Sequence, residues 1–184
     1  GVGPDGRRVR DGVQLHMNDD CGRGVRAGGD LAGASGGSCT AITLGPPSAD
    51  RVLREARLCG CTGGLHVSDP AFAGSDTLAT ARALAAALDR GGPWDLVLCG
   101  RNSVDADTGQ VPAQVAELLQ VPLLTGAREL EVDGATVHAW LEHDDEWVRA
   151  EVDLPAVVSF AERLCDPCKV KEPEAWATVD PAHI

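Results

Sequence analysis

The residues best suited to ligand chemistry lie in one run, Leu98-Cys99-Gly100-Arg101-Asn102-Ser103-Val104-Asp105-Ala106-Asp107-Thr108-Gly109-Gln110-Val111. An apolar strand pattern, Trp94 to Leu98, precedes it, and a helical pattern at Val111, Val115, Leu118 and Leu119 follows. Strand, polar turn and helix together form the layout of a nucleotide site at the carboxyl end of a parallel sheet. A helix N-terminus carries free N–H groups and a positive dipole end, which suit phosphate. Thr108 is placed to cap that helix, and Gly109 lets the backbone come close to a ligand. Asp105 and Asp107 form a carboxylate pair of the kind that general acid–base chemistry needs. The preferred reading is milder: one carboxylate bonds ribose hydroxyls, the other satisfies loop N–H groups, and magnesium is an alternative. Thr108-Gly109-Gln110 lacks the Gly-Lys-Ser/Thr of a nucleotide-hydrolysing loop, so neither a catalytic residue nor a metal ligand is assigned.

The cysteines are Cys21, Cys39, Cys59, Cys61, Cys99, Cys165 and Cys168. An odd count argues against a disulfide framework, and the preferred reading is unpaired thiols. Cys39 and Cys99 lie in apolar strand patterns and read as small core residues. Cys59-Gly60-Cys61 with Cys165-Asp166-Pro167-Cys168 could form a four-thiolate zinc site, although Cys-x-Cys is an atypical spacing. A redox dithiol at Cys165 and Cys168 is the other alternative, but no helix N-terminus is in view to lower a thiol pKa. His16, His66, His138, His143 and His183 have no metal-binding spacing, and Trp140 and Trp147 read as packing a hairpin or an interface.

The elements that must carry these residues follow from periodicity. Gly1 to Asp11 reads as a loop or short hairpin, and Asn18 to Ala34 as a helix frayed by Gly22, Gly24, Gly28, Gly29 and Gly33. Cys39 to Leu44 reads as a buried strand. Ser48 is expected to cap a helix through Arg57, with Val52, Leu53 and Ala56 inward. Gly64 to Val67 is a short strand. Ser75 or Asp76 caps a helix with Leu78, Ala81, Leu84, Ala85 and Leu88 on one face. Successive strand–helix units imply a parallel sheet. Asp133-Gly134 then joins two strand patterns as a hairpin, and Trp147 to Val152 and Ala156 to Phe160 add two more strands. The 184 residues, 43% of them hydrophobic, suit one domain over residues 1–184. A net charge of −12 disfavours nucleic acid and anionic membranes. No run reaches the roughly 18 apolar residues of a spanning helix. No leader pattern opens the chain, so the cytoplasm is the default compartment.

The loop resembles the nucleotide-binding segment of electron transfer flavoprotein beta subunits. There, Gly-Arg/Lys-Gln-Ala-Ile-Asp precedes Asp-Thr-Gly-Gln-Val. Four further runs agree in order and spacing: Asp11 to Asn18, Thr43 to Pro47, Ser68 to Ala81, and Leu154 to Val158. The resemblance implies a doubly wound α/β fold of the adenine-nucleotide-binding type with a late antiparallel hairpin region. It also implies a heterodimer with an alpha subunit that holds the redox-active FAD. Electrons then pass from a flavin dehydrogenase to a quinone oxidoreductase, and the beta subunit binds a structural AMP without catalysis of its own. In electron-bifurcating members a second FAD takes the place of AMP. A stand-alone nucleotide-binding regulator of the universal-stress type is a reading from another class, but it expects a Gly-x-x-Gly loop that the sequence lacks. A zinc-stabilised interaction module is a third.

Carried over residue by residue, Gly100, Arg101, Asn102, Ser103, Val104, Asp105, Ala106, Asp107, Thr108, Gly109 and Gln110 would wrap phosphate and ribose. Asn18, Asp19, Asp20, Cys21 and Leu44 would line the adenosine pocket. Departures accompany the likeness. The family's opening strand has no counterpart; its absence would leave two neighbouring strands without a shared partner unless the chain is a fragment, and a fragment is the preferred reading. The family's C-terminal arm is cut short. Leu164 to Pro173 lacks the leucine anchor that docks the dehydrogenase, and Trp140 stands at an acidic position of the family's Glu-Arg-Glu strand. Both changes point to a dehydrogenase partner outside the acyl-CoA type.

Overall fold

The computed structural model describes Pro4, residues 17–103, 107–144, 146–160 and 164–170, and positions 175, 177 and 179. The expected opening loop of residues 1–11 lies outside them apart from Pro4.

Helix α1 (Asp19–Ser35) starts where Asn18, in extended backbone, accepts the Asp20 N–H on its side chain. Asp19 and Asp20 in the first turn complement the positive end of the helix dipole. The helix closes at Gly36 in the left-handed conformation. The expected fraying is corrected here, because α1 runs unbroken for 17 residues. The glycines serve packing instead. A Cβ on Gly24 would lie 2.6 Å from the Phe160 ring, and one on Gly22 would lie 2.8 Å from the Cys168 carbonyl oxygen. Close tertiary contact offsets the roughly 1 kcal/mol per glycine lost to propensity.

Strands β1 (Thr40–Leu44) and β2 (Gly63–Val67) pair in parallel, with Ile42 opposite Leu65. Helix α2 (Asp50–Leu58) connects them, with Leu53 and Ala56 buried and Val52 only half-buried. Ser48 does not cap it. That residue sits in a 3-10 turn, Pro47–Ala49, and α2 begins after it without a side-chain cap. Helix α3 (Thr77–Gly91) is capped by Asp76, which accepts the Ala79 N–H at 2.8 Å. Its buried face holds Ala81, Ala85 and Leu88, whereas Leu78, expected inward, is exposed.

Strand β3 (Leu96–Gly100) begins two residues later than the sequence pattern suggests. Trp94 instead turns its indole back to donate to the Leu88 carbonyl at 2.6 Å. Helix α4 (Val111–Leu119) follows, with Val115 buried and Leu118 exposed. The remaining strands are β4 (Leu123–Asp133), β5 (Thr136–His143), β6 (Glu146–Asp153) and β7 (Ala156–Phe160).

Among the described residues the strands form two sheets, β1-β2 and β3-β7-β4-β5-β6. The order β3-β7-β4 is parallel, and β4-β5-β6 is an antiparallel meander through the Asp133-Gly134 turn. No described strand bridges β1 and β3. Strand β4 serves both halves by bending at Gly126, whose φ of 73° is left-handed. A Cβ there would meet the Glu142 carbonyl oxygen at 2.9 Å, so glycine satisfies both demands.

All five residues of β7 are buried, as befits a central parallel strand. Val158 and Phe160 join Leu96, Leu98, Leu124 and Leu141 on one face, where α1 packs. Val157 joins Val97, Cys99, Ala81 and Val115 on the other, beneath α3 and α4. Helices on both faces make the fold doubly wound. At the outer edge Trp140 and Trp147 are exposed, and the Arg128 guanidinium lies 5.9 Å from the Trp147 ring centre.

The expectation of unpaired thiols is corrected at one pair. Cys59, at the end of α2, is disulfide-bonded to Cys168, with a Cα–Cα distance of 6.0 Å. Residues 109 positions apart come together because the segment after β7 crosses α1. Cys168 donates its N–H to the Gly22 carbonyl at 3.1 Å, Arg23 Nε donates to the Cys165 carbonyl at 3.1 Å, and Lys169 pairs with Asp19 at 2.9 Å. The four thiols of the zinc alternative are therefore divided: Cys61 contacts Cys39, and Cys165 lies against the Arg23 carbonyl. The same bond takes Cys168 out of the Cys165 dithiol alternative.

Candidate functional site

The candidate site lies where β3 ends and the sheet is divided. Gly100, the last residue of β3, touches the first turn of α1: a Cβ on it would lie 3.0 Å from the Asp20 Cβ. That contact brings Asn18, Asp19, Asp20 and Cys21 beside the start of the loop. Asp20 is held by Arg23 at 3.0 Å, and Cys21 is exposed. Burial of its sulfur and the nearby Asp20 carboxylate push the Cys21 thiol pKa up. Leu44 closes β1, and the next N–H, that of Gly45, bonds the Val67 carbonyl at 3.1 Å. The carboxyl ends of β1 and β2 thus lie side by side, while β3 belongs to the other sheet.

The loop is closed on itself. Asn102 Nδ2 donates to the Asp107 carboxylate at 2.5 Å, and the Asp107 N–H bonds the Ser103 carbonyl at 3.1 Å. The Arg101 N–H donates to the Phe160 carbonyl at 3.3 Å, which ties the loop to the central strand. Asp107 and Gly109 both have left-handed backbone, at φ 51° and 63°. A Cβ on Gly109 would fall 2.9 Å from Asn102 Oδ1. Gly109 therefore meets a conformational demand and a steric one together. Val104, Asp105 and Ala106 lie outside the described residues, so the Asp105–Asp107 pair has no described geometry.

Thr108 is not the cap of α4. Gln110 occupies that position, and no side chain bonds the first turn of the helix. The expected cap fails because Thr108 lies two residues too early, beyond left-handed Gly109. Pro112 contributes no N–H, which leaves the Val111 and Ala113 amides at the start of α4 without a side-chain acceptor. Arg101 is exposed at the loop mouth and supplies a cation. Fixed amides, a left-handed turn and one guanidinium form a place for an anion.

Two residues that the motif reading left out belong to this corner. Thr77, at the start of α3, donates its hydroxyl to Gln110 Oε1 at 3.1 Å. Gln114 Nε2 donates to the same Thr77 oxygen at 3.3 Å, while Gln114 Oε1 is buried without a partner. The signal was present in the sequence, because Gln110 and Gln114 are four apart and share a helix face. Arg23 was missed too: its pairing with Asp20 is a local i,i+3 contact, and only the fold brings it to the Cys165 carbonyl.

Among the described residues no helix is long and apolar enough to cross a membrane, and no group of His, Cys, Asp and Glu could hold a metal ion. His16 and His183 lie outside them. His138 pairs with Glu151 at 3.1 Å across β5 and β6.

Residues 8–182 match the family described as Electron transfer flavoprotein domain. An electron transfer flavoprotein subunit beta from Thermoanaerobacterium thermosaccharolyticum is 35% identical over 156 residues, covering 85% of this chain and 60% of the relative. The caffeyl-CoA reductase-Etf complex subunit CarD of Acetobacterium woodii is 34% identical over 165 residues, covering 88% and 62%. The acryloyl-CoA reductase electron transfer subunit gamma of Anaerotignum propionicum is 33% identical over 160 residues, covering 86% and 60%. The chain thus spans about 60% of the length of these relatives. A match over residues 8–182, on a doubly wound α/β fold, places this chain in the electron transfer flavoprotein family.

Proposed function

We propose that the chain is the nucleotide-binding part of an electron transfer flavoprotein beta subunit and that its loop holds the AMP of the complex. The observation that carries the reading is the turn Asp107–Gln110 before α4. It combines left-handed Gly109 with two uncapped amides at a helix start. Such amides favour a phosphate over a neutral ligand, and Arg101 adds the matching charge. Asn18, Asp19, Asp20, Cys21 and Leu44 would face the adenosine end, and residues 100–110 the ribose and phosphate.

AMP supplies no redox chemistry, so this chain's residues bind and orient. The loop's internal Asn102–Asp107 bond fixes its shape before a ligand arrives, which lowers the ordering cost of binding. The partner is an alpha subunit carrying FAD, the electron donor is a flavin dehydrogenase, and the compartment is the cytoplasm. The altered segment at Leu164 to Val170 and exposed Trp140 support a dehydrogenase other than the acyl-CoA type.

A second reading is favoured by the relatives named as parts of CoA-ester reductase complexes. In it, FAD occupies the place of AMP, and its isoalloxazine brings electron chemistry into this subunit.

The test is co-expression of the gene with its neighbours, purification of the complex and chromatography of the nucleotides released on denaturation. One AMP and one FAD per heterodimer support the first reading. Two FAD support the second. A monomer that releases no nucleotide overturns both.

A further inference from the structure

Cys39 and Cys61 lie outside the nucleotide corner, and nothing in the electron-carrier reading uses them. Cys39 precedes β1, and Cys61 precedes β2 by two residues. Parallel pairing brings these starts together: Thr40 stands opposite Gly63, and the Thr62 N–H bonds the Cys39 carbonyl at 2.6 Å. The two sulfurs are 3.3 Å apart. Closure to a bond of about 2.05 Å needs only a small shift of the side chains. The Cys39 sulfur is seated against α1, where a Cβ on Gly28 would lie 2.9 Å away. Cys61 is buried at 3% exposure, whereas Cys39 is half-buried, so a reagent enters from the Cys39 side.

We propose that Cys39 and Cys61 form an oxidisable dithiol that reacts with hydrogen peroxide and closes to a second disulfide, with Cys39 as the attacking thiol. The proposal is independent of the nucleotide reading.

Five thiols are free among the described residues: Cys21, Cys39, Cys61, Cys99 and Cys165. Their environments favour Cys39. The hydrogen bond shared with Cys61 holds the Cys39 pKa below the usual thiol value, against the opposing effect of burial. That same hydrogen bond, with burial, pushes Cys61 up. Burial also raises Cys21 and Cys165 and takes Cys99 up to about 12. The thiolate is the nucleophile, so the group with the lowered pKa reacts first.

The Cys39 thiolate attacks one peroxide oxygen, the O–O bond breaks, and the departing hydroxide takes a proton to leave as water. Cys39 is then a sulfenic acid. Cys61 gives up its proton and attacks the Cys39 sulfur, the S–O bond breaks, and a second water leaves. Two thiols lose two electrons in total to one peroxide, which becomes two waters.

The test exposes the full purified chain to hydrogen peroxide, alkylates the remaining thiols under denaturing conditions and maps the peptides by mass spectrometry. The expected product is a peptide pair joining Cys39 to Cys61, with Cys21, Cys99 and Cys165 still alkylated. In Cys61→Ser, Cys39 stops at a sulfenic acid that dimedone traps. In Cys39→Ser, Cys61 stays reduced. The proposal is overturned by first oxidation at Cys21 or Cys165, by a link from Cys39 to any other cysteine, or by both thiols surviving intact. The wild-type map alone decides, so a variant that folds poorly does not rescue the idea.

Discussion

Gly109 concentrates the argument for the site in one residue. Its backbone is left-handed, and the place of its missing Cβ is taken by Asn102 Oδ1 at 2.9 Å. Gly109→Ala is therefore expected to break the Asn102–Asp107 closure of the loop. Its stability cost is on the order of 1 kcal/mol, because alanine is strained at positive φ. Nucleotide content of the purified complex should fall well below that of the wild type. Full nucleotide occupancy in the variant would detach the loop from binding. Asp107 was legible as a loop carboxylate but not as the acceptor for Asn102. Five residues separate them, and only the left-handed turn brings the two side chains together.

At the scale of elements, α1 is the piece whose glycine content misled the sequence reading. Propensity counts the cost of each glycine in an isolated helix, and it omits what the missing side chain allows in the fold. Here the absent Cβ of Gly24 admits the Phe160 ring, which is 1% exposed. Phe160→Ala removes that contact and leaves a cavity between α1 and β7. The expected cost is about 3–5 kcal/mol, read from the shift in urea midpoint. Because the first turn of α1 borders the candidate site, nucleotide should be lost at lower urea than in the wild type. An unchanged midpoint would mean that α1 is held by other contacts. By contrast, the turn of the β4-β5 hairpin was legible, because Asp133-Gly134 sits between alternating runs and the turn is local.

For the whole molecule, buried thiols couple stability to alkaline pH. Burial in the apolar cluster raises Cys99 from 9.0 to about 12, so the folded chain holds this proton more tightly than the unfolded chain. The contribution is fully present below the unfolded value. It is lost between about pH 9 and about pH 12, by about 1.4 kcal/mol per unit. Unfolding midpoints should therefore fall as pH rises through that window, and Cys99→Ala should flatten the fall. An identical slope in the variant would assign the alkaline sensitivity elsewhere, with Cys21 and Cys61, also raised, as the next candidates.

The sequence by itself determined what local chemistry decides. Asp76 as a cap, the Asp133-Gly134 turn, the late strands and the loop between β3 and α4 were all readable, since each depends on neighbours in the chain. The family was readable too, from the order and spacing of five short runs. Tertiary structure alone decided which distant groups meet. It joined Cys59 to Cys168, set Cys39 against Cys61, and put Gln110, not Thr108, at the cap position of α4. It also brought the Cys165 carbonyl to Arg23 and Lys169 to Asp19. These meetings depend on how helices seat against the two faces of the sheet, and spacing along the chain carries no record of that seating.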